Sequence, residues 1–152
     1  MLRKCEKSDG KSIYGLICDM ENKELPYEKF EELYQQQLSR EDMYGLVNFI
    51  DDNVIGFLNL RFENQLHHCE KIAEILEFAV DSRYRSKGIG KEMLAEAAKI
   101  ALEHGCVQME VACNQLRSNT HRFYEREGMH NFHYKFSKML MGEDDTGNVL
   151  GR

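Results

Sequence analysis

Residues 72–90 read Ile-Ala-Glu-Ile-Leu-Glu-Phe-Ala-Val-Asp-Ser-Arg-Tyr-Arg-Ser-Lys-Gly-Ile-Gly, and this stretch decides the fold. Its first half is a mostly apolar run of strand length, and its second half is a basic turn that contains glycine. A helical pattern of apolar residues begins at Gly88. Such a turn directs several backbone N–H groups and the positive end of a helix at one point. The stretch therefore predicts an anion site, with phosphate as the usual anion.

Length and charge narrow the class of protein. The chain has 152 residues, 42% of them hydrophobic and 30% charged, which is typical of one soluble globular domain. Its formal net charge of −6 argues against a nucleic-acid partner, which would need a basic face. We expect a single domain over residues 1–141, followed at 142–152 by a flexible, polar, glycine-rich tail.

The cysteines and histidines indicate reduced thiols and no metal. The five cysteines show no paired CxxC spacing, so we expect free thiols in a cytoplasmic protein. No apolar segment approaches the roughly 20 residues that a membrane span requires, and we expect no membrane partner. His67, His68 and Cys69 lack a second ligand pair at fixed spacing, so a solvated loop is favoured over a metal site.

The periodicity along the chain predicts a mixed sheet with helices on both faces. A helix between two consecutive strands implies a parallel pair, and the hairpin that precedes them is antiparallel. The expected fold is α/β (an α+β mixed sheet), with six to seven mostly antiparallel strands and about four helices. The predicted strands are 2–8, 43–51, 54–62, 71–81, 106–113 and one or two within 129–140, and the predicted helices are 11–21, 25–39, 88–104 and 118–127.

The basic turn fails the two commonest phosphate motifs. The nucleotide P-loop pattern is absent, and the dinucleotide pattern GxGxxG has Met93 in place of its third glycine. The pattern that is present, Arg85-x-x-Gly88-x-Gly90, resembles the acyl-CoA pyrophosphate motif of the GCN5-related N-acetyltransferases, the GNAT family. A plain turn with solvated basic residues is the alternative. The resemblance implies that acetyl-CoA is bound by Arg85, Ser86, Lys87, Gly88, Ile89, Gly90 and Lys91.

A second segment, residues 119–129, supports the same family. It resembles the GNAT helix that carries Phe-Tyr-Glu and ends in Gly-Phe, here Phe123-Tyr124-Glu125 and Gly128-Met129. The pattern is similar to Ala-His-x-Phe-Tyr-Glu of small-molecule acetyltransferases, including those that acetylate phosphonates and amino compounds, although Thr120 replaces the alanine. In this resemblance Asn114, Asn119, Phe123 and Tyr124 also contact acetyl-CoA.

The resemblance implies roles for the end of the opening strand. There the parallel pair is splayed at a β-bulge, and the backbone of Phe78, Ala79 and Val80 pairs with the cofactor. Tyr124 looks like the general acid for the departing thiolate.

Glu77 is the candidate base or amine ligand, because a carboxylate within an apolar strand is costly unless it faces a cleft or a partner. Glu74, a structural ion pair and a water chain stay open as alternatives; simple alternation puts residues 74 and 77 on opposite faces, unless a bulge intervenes.

The expected function is transfer of acetyl from acetyl-CoA to a primary amine of a small molecule, by direct attack in a ternary complex. A peptide or protein N-acetyltransferase and a non-catalytic acyl-CoA-binding module are the alternatives. Proteins that resemble this one are commonly dimers, so a homodimer is an open expectation. His121, one turn before Tyr124, either lines the cleft or packs within its helix.

Overall fold

The computed structural model describes residues 1–141, and the predicted tail at 142–152 lies outside them. The chain divides into two compact units, Met1–Val111 and a second one that begins at Ala112. The prediction of a single domain stays a prediction. The first unit contains strands β1 (Leu2–Lys4), β2 (Met43–Ile50), β3 (Asn53–Gln65), β4 (Glu70–Val80) and β5 (Cys106–Val111), with helices α1 (Gly10–Glu21), α2 (Tyr27–Leu38) and α3 (Ile89–Glu103); the second contains α4 (Ser118–Arg126).

The strands form one sheet in the order β1-β2-β3-β4-β5. The first three pairings are antiparallel, and β4 pairs with β5 in parallel. Asp51 and Asp52 join β2 to β3 with φ of 49° and 64°, which is the left-handed backbone of a two-residue hairpin turn. Helix α3 is the crossover that a parallel pair requires. The mixed, mostly antiparallel sheet is therefore as predicted.

The strand count differs from the prediction in one place. Within residues 1–141 the sheet has five strands, and residues 129–140, which were predicted to supply one or two more, form none. Phe132, Tyr134 and Phe136 alternate as in a strand, yet they are 79%, 80% and 92% exposed. Alternation specifies which face a side chain occupies, but a strand also needs a partner for its backbone hydrogen bonds.

Helices cover both faces of the sheet in the first unit. On one face, Ile13 and Ile17 of α1 and Tyr34 of α2 form a core cluster with Phe57 and Ala79. The opposite face meets α3. There a Cβ added to Gly56 would lie 2.6 Å from Sδ of Met93, so this glycine allows the helix to approach the strand closely.

Candidate functional site

A β-bulge lies in the middle of the sheet, between β3 and β4. Asn59 pairs with Glu77, but the next residue of β3, Leu60, pairs with Ile75, so Leu76 is an extra residue of β4. A bulge of this kind changes the parity of the side chains on the longer strand. It places Glu77 on the sheet face of Asn59, which is the face covered by α1 and α2.

The bulge also determines which sheet face each of the two candidate bases, Glu74 and Glu77, occupies. Glu74 pairs with Arg61, and Arg61 lies on the same face as Asn59, so Glu74 and Glu77 share one face. Simple alternation, which puts them on opposite faces, is therefore wrong for this strand. Glu74 is held in an ion pair, with its Oε2 at 3.3 Å from Nη2 of Arg61.

The hydrogen-bond partner of Glu77 is a neutral amide. Its Oε2 accepts a hydrogen bond of 2.8 Å from Nδ2 of Asn59, and the same nitrogen donates at 2.9 Å to Oε1 of Gln37. Burial raises the pKa of Glu77 above its ordinary range, the bond from Asn59 opposes this change, and the negative charge of Glu21 adds to it. The carboxylate is thus a stronger base than an exposed glutamate.

Beyond the bulge, β4 runs past the end of its parallel partner. The pairing with β5 ends at Ile75 and Val111, whereas β4 continues to Val80 with β3 on its other side. The predicted splay of the parallel pair stays a prediction, since β5 itself ends at Val111. Phe78, Ala79 and Val80, the predicted backbone contacts of the cofactor, all lie in this continuation, directly before the basic turn.

The basic turn begins at Asp81 and delivers the chain to α3. Nη2 of Arg83 lies 2.8 Å from Oδ2 of Asp81, and this ion pair partly neutralises the charge of Arg83 within the turn. Gly88, immediately before the helix, has φ of 81°, a conformation that favours glycine.

Helix α3 begins with its first backbone bond from Glu92 N–H to Gly88 O at 3.1 Å. The N–H groups before Glu92 therefore have no acceptor within the helix. Arg85, Lys87 and Lys91 beside them are exposed. The turn thus combines exposed cations with a helix N-terminus, an arrangement that can attract an anion.

The second unit places Tyr124 in a half-buried position on α4. Its ring lies 5.3 Å from that of Phe123. Burial and the neighbouring Cys113 raise the pKa of Tyr124 to about 12, against an opposing effect of Arg117. Its hydroxyl is therefore protonated throughout the physiological range and can act as a hydrogen-bond donor.

His121 holds the segment before α4. Its Nε2 lies 2.7 Å from the backbone oxygen of Asn114, and a carbonyl only accepts, so Nε2 carries the proton. The side chain of Asn114 accepts from Leu116 N–H at 2.8 Å. Asn119 lies exposed in the first turn of α4. Hydrogen bonds from His121 and Leu116, both in its own unit, therefore hold Asn114 in place.

Asn59, Gln37 and Glu21 were missed by the sequence reasoning. A signal existed for Asn59, because it is a polar residue between Leu58 and Leu60 in a strand, as Glu77 is within β4. Gln37 and Glu21 lie on polar helix faces and carry no such signal.

Residues 1–141 lack two further features, a metal-ligand cluster and a membrane-spanning helix. No three His, Cys, Asp or Glu side chains of this part are grouped as a metal site requires. None of its helices is long and apolar enough to cross a membrane.

Comparison with known proteins agrees with this geometry. The model of the acetyltransferase (GNAT) family matches residues 11–129. An aminoalkylphosphonate N-acetyltransferase of Salmonella typhimurium is 33% identical over 139 residues, which are 91% of this chain and 90% of that protein.

Solved structures share the fold. A glucosamine-6-phosphate N-acetyltransferase of Arabidopsis thaliana has a TM-score of 0.78 at 23% identity, over 93% of this chain and 98% of that one. A transcriptional regulator of Bacillus halodurans reaches 0.86 at 19% identity, over 92% and 99%. With the family match over most of its length and an N-acetyltransferase relative along nearly all of it, this chain belongs to the GNAT family and is an N-acetyltransferase.

Proposed function

We propose that the protein transfers acetyl from acetyl-CoA to a primary amine of a small molecule, by direct attack in a ternary complex. The observation that carries the proposal is Glu77, a half-buried carboxylate with a raised pKa at the bulge of β4, a few residues before a turn suited to pyrophosphate. The relative from Salmonella typhimurium supports a small amine as acceptor, because its name is that of an aminoalkylphosphonate N-acetyltransferase.

Acetyl-CoA, when bound, supplies the acetyl group as an activated thioester. The backbone N–H groups of residues 88–91 and the side chains of Arg85, Ser86, Lys87 and Lys91 would hold its pyrophosphate. The backbone of Phe78, Ala79 and Val80 would pair with its pantetheine arm. Asn114, Asn119 and Phe123 are further proposed contacts, on the strength of the motif alone.

Glu77 is proposed to accept the proton of the acceptor amine. The amine nitrogen forms a bond to the acetyl carbon as the carbon–sulfur bond breaks, and the nitrogen loses one proton. A general base works best when its pKa lies near the operating pH, and burial moves the pKa of Glu77 in that direction. The nearby charge of Glu21 also favours a cationic acceptor, since an ammonium group would relieve the repulsion between the two carboxylates.

Tyr124 is proposed to donate a hydrogen bond to the departing sulfur. Its pKa of about 12 exceeds that of an ordinary thiol, about 8.5, so complete proton transfer would be uphill. A donor of this kind still stabilises the developing thiolate, and the proton that the sulfur finally carries can come from solvent.

A panel of acceptors tests the proposal. Release of CoA would be measured with aminoalkylphosphonates, amino sugars and short peptides. We expect turnover with one class of small amine, and a loss of about 10²–10⁴-fold in Glu77→Gln. Glu74→Gln is the matched control, because it lies on the same strand and face but is paired with Arg61. Turnover with peptides alone would replace a small molecule by a peptide as the acceptor.

Location and assembly complete the proposal. All five cysteines are free thiols, and two of them, Cys5 and Cys106, are buried, which suits the reducing cytoplasm that we propose. We also propose a homodimer, from the family resemblance alone. Light scattering of the purified protein tests the assembly, and a monomer at micromolar concentration would reject it.

A further inference from the structure

We propose that Asn59 and Gln37 are positioning residues for Glu77: a relay of hydrogen bonds from α2 through β3 holds the carboxylate of β4 in one orientation for the acceptor amine. The inference rests on the proposed function of Glu77. Asn59 bonds the base itself, and Gln37 acts on the base through Asn59.

The relay is continuous over three elements. Nδ2 of Asn59 lies 2.9 Å from Oε1 of Gln37 and 2.8 Å from Oε2 of Glu77. A primary amide nitrogen has two protons, and these two acceptors use both of them. If the Asn59 amide were turned over, its oxygen would face two acceptors. An ionised Glu77 only accepts and so requires the Nδ2 end of Asn59, while Oε1 of Gln37 accepts the second proton of that nitrogen.

Burial of the Asn59 side-chain amide costs free energy unless the amide forms hydrogen bonds. Asn59 is only 4% exposed, and an amide buried without hydrogen bonds costs about 1–3 kcal/mol by mutational measurements. It also stands at the last register pair before the bulge, where Leu76 is inserted. The bulge places Glu77 on this face. There it lies opposite Asn59 of the neighbouring strand, whose amide donates a hydrogen bond to it.

A neutral hydrogen-bond donor leaves a carboxylate a stronger base than a neighbouring cation would, because the cation stabilises the ionised form. Glu74 shows the alternative, because its Oε2 lies 3.3 Å from Nη2 of the Arg61 guanidinium. The Asn59 amide orients the carboxylate through one N–H bond and leaves the charge of the site unchanged. Besides Asn59, the group acting electrostatically on Glu77 is Glu21 at the end of α1, whose negative charge favours the protonated form.

The first test is the pH dependence of kcat/KM with one amine substrate. Asn59→Leu removes a bond that lowers the pKa of Glu77, so we expect the acidic limb to move to higher pH. At the plateau we expect a loss of about 10- to 100-fold, as for misplaced catalytic groups. The ionisation of the amine itself cancels, because the same substrate is compared among variants.

Asn48→Leu is the matched control. Asn48 is also a buried asparagine of the sheet, 1% exposed, but its side-chain oxygen accepts from the amino group of Met1 at 3.1 Å. We expect it to lose stability without moving the pH profile. An equal shift in both variants would overturn the proposal in favour of a purely structural role.

Gln37 gives a second test at a half-buried position, where folding is at less risk. Gln37→Glu keeps an oxygen that can accept from Asn59, whereas Gln37→Leu does not. We expect Gln37→Leu to reproduce part of the loss in kcat and Gln37→Glu to retain activity. Equal activity of the two variants would remove Gln37 from the relay.

A titration separates this inference from the proposed function. The side-chain carboxyl of Glu77 can be followed by ¹³C NMR against pH without any substrate. We expect its midpoint to rise in Asn59→Leu and to stay in place in Asn48→Leu; an unchanged midpoint in Asn59→Leu contradicts the relay. If the midpoint moves but Glu77→Gln keeps full turnover, the relay stands and the role of Glu77 as base is lost.

Discussion

Replacing Gly88 by alanine should weaken the binding of acetyl-CoA and not only the fold. Gly88 has φ of 81°, and a Cβ at this position would meet no atom within 4 Å. The cost is therefore one of backbone conformation, about 1–2 kcal/mol for a residue with a Cβ. For a chain of this size this corresponds to a fall in Tm of about 2–8 °C.

The added loss in affinity comes from the backbone donors that follow. If the turn relaxes to avoid positive φ, at least one N–H group moves away from the pyrophosphate. A hydrogen bond to a charged group contributes about 1.5–3 kcal/mol, and each 1.4 kcal/mol is about tenfold in Kd. We expect the Kd of acetyl-CoA, measured by titration calorimetry, to rise about 10- to 100-fold.

Gly105 offers a close control at the other end of α3. It has φ of 83°, and a Cβ there would likewise meet nothing within 4 Å. Gly105→Ala should therefore lower Tm as much as Gly88→Ala while leaving the Kd unchanged. Equal Kd values in the two variants would refute the assignment of the turn to the pyrophosphate, whatever the change in stability.

Three other perturbations have distinct expected outcomes. Tyr124→Phe removes the hydroxyl, so kcat should fall at least tenfold with little change in the Kd of acetyl-CoA; an unchanged kcat would exclude Tyr124 from the reaction. Leu60→Ala, at a fully buried position, should lower the free energy of unfolding by about 2–5 kcal/mol in urea denaturation. Arg3 lowers the pKa of the buried Asp9, so the stability from this pair is complete above about pH 4 and is lost as pH falls through the folded pKa. Asp9→Asn should cost about 1.5–3 kcal/mol at pH 7 and flatten the acid limb of the stability profile, and an unaltered limb would contradict this account.

The local parts of the site were predictable from the sequence because each depends on neighbouring residues. The turn after β4 has glycine at the positive φ of Gly88 and basic residues nearby, and both can be identified from Arg85 to Gly90. Helix α4 was predicted at 118–127 and found at Ser118–Arg126, with Gly128 at φ of 88° just beyond it. Hydrophobic spacing and glycine positions are sufficient for such elements.

The strand predicted within residues 129–140 was wrong for a different reason. The alternation of Phe132, Tyr134 and Phe136 is a property of the segment itself. Pairing also requires a second strand with a free edge nearby, and the sequence of the segment does not identify that strand. A pattern of period two therefore favours a strand but does not make one.

The environment of Glu77 was decided by the tertiary structure alone. From the sequence, Glu77 is an acidic residue in an apolar strand, and its partner could be a cation, an amide or water. The partner is Asn59, 18 residues earlier, and the contact depends on one extra residue at the bulge. Because side chains alternate along a strand, a shift of one residue in register exchanges the faces. The sequence by itself determined that β4 ends in a basic, glycine-containing turn before a helix, since that turn is local, but the orientation of the Glu77 carboxylate depends on how two strands align.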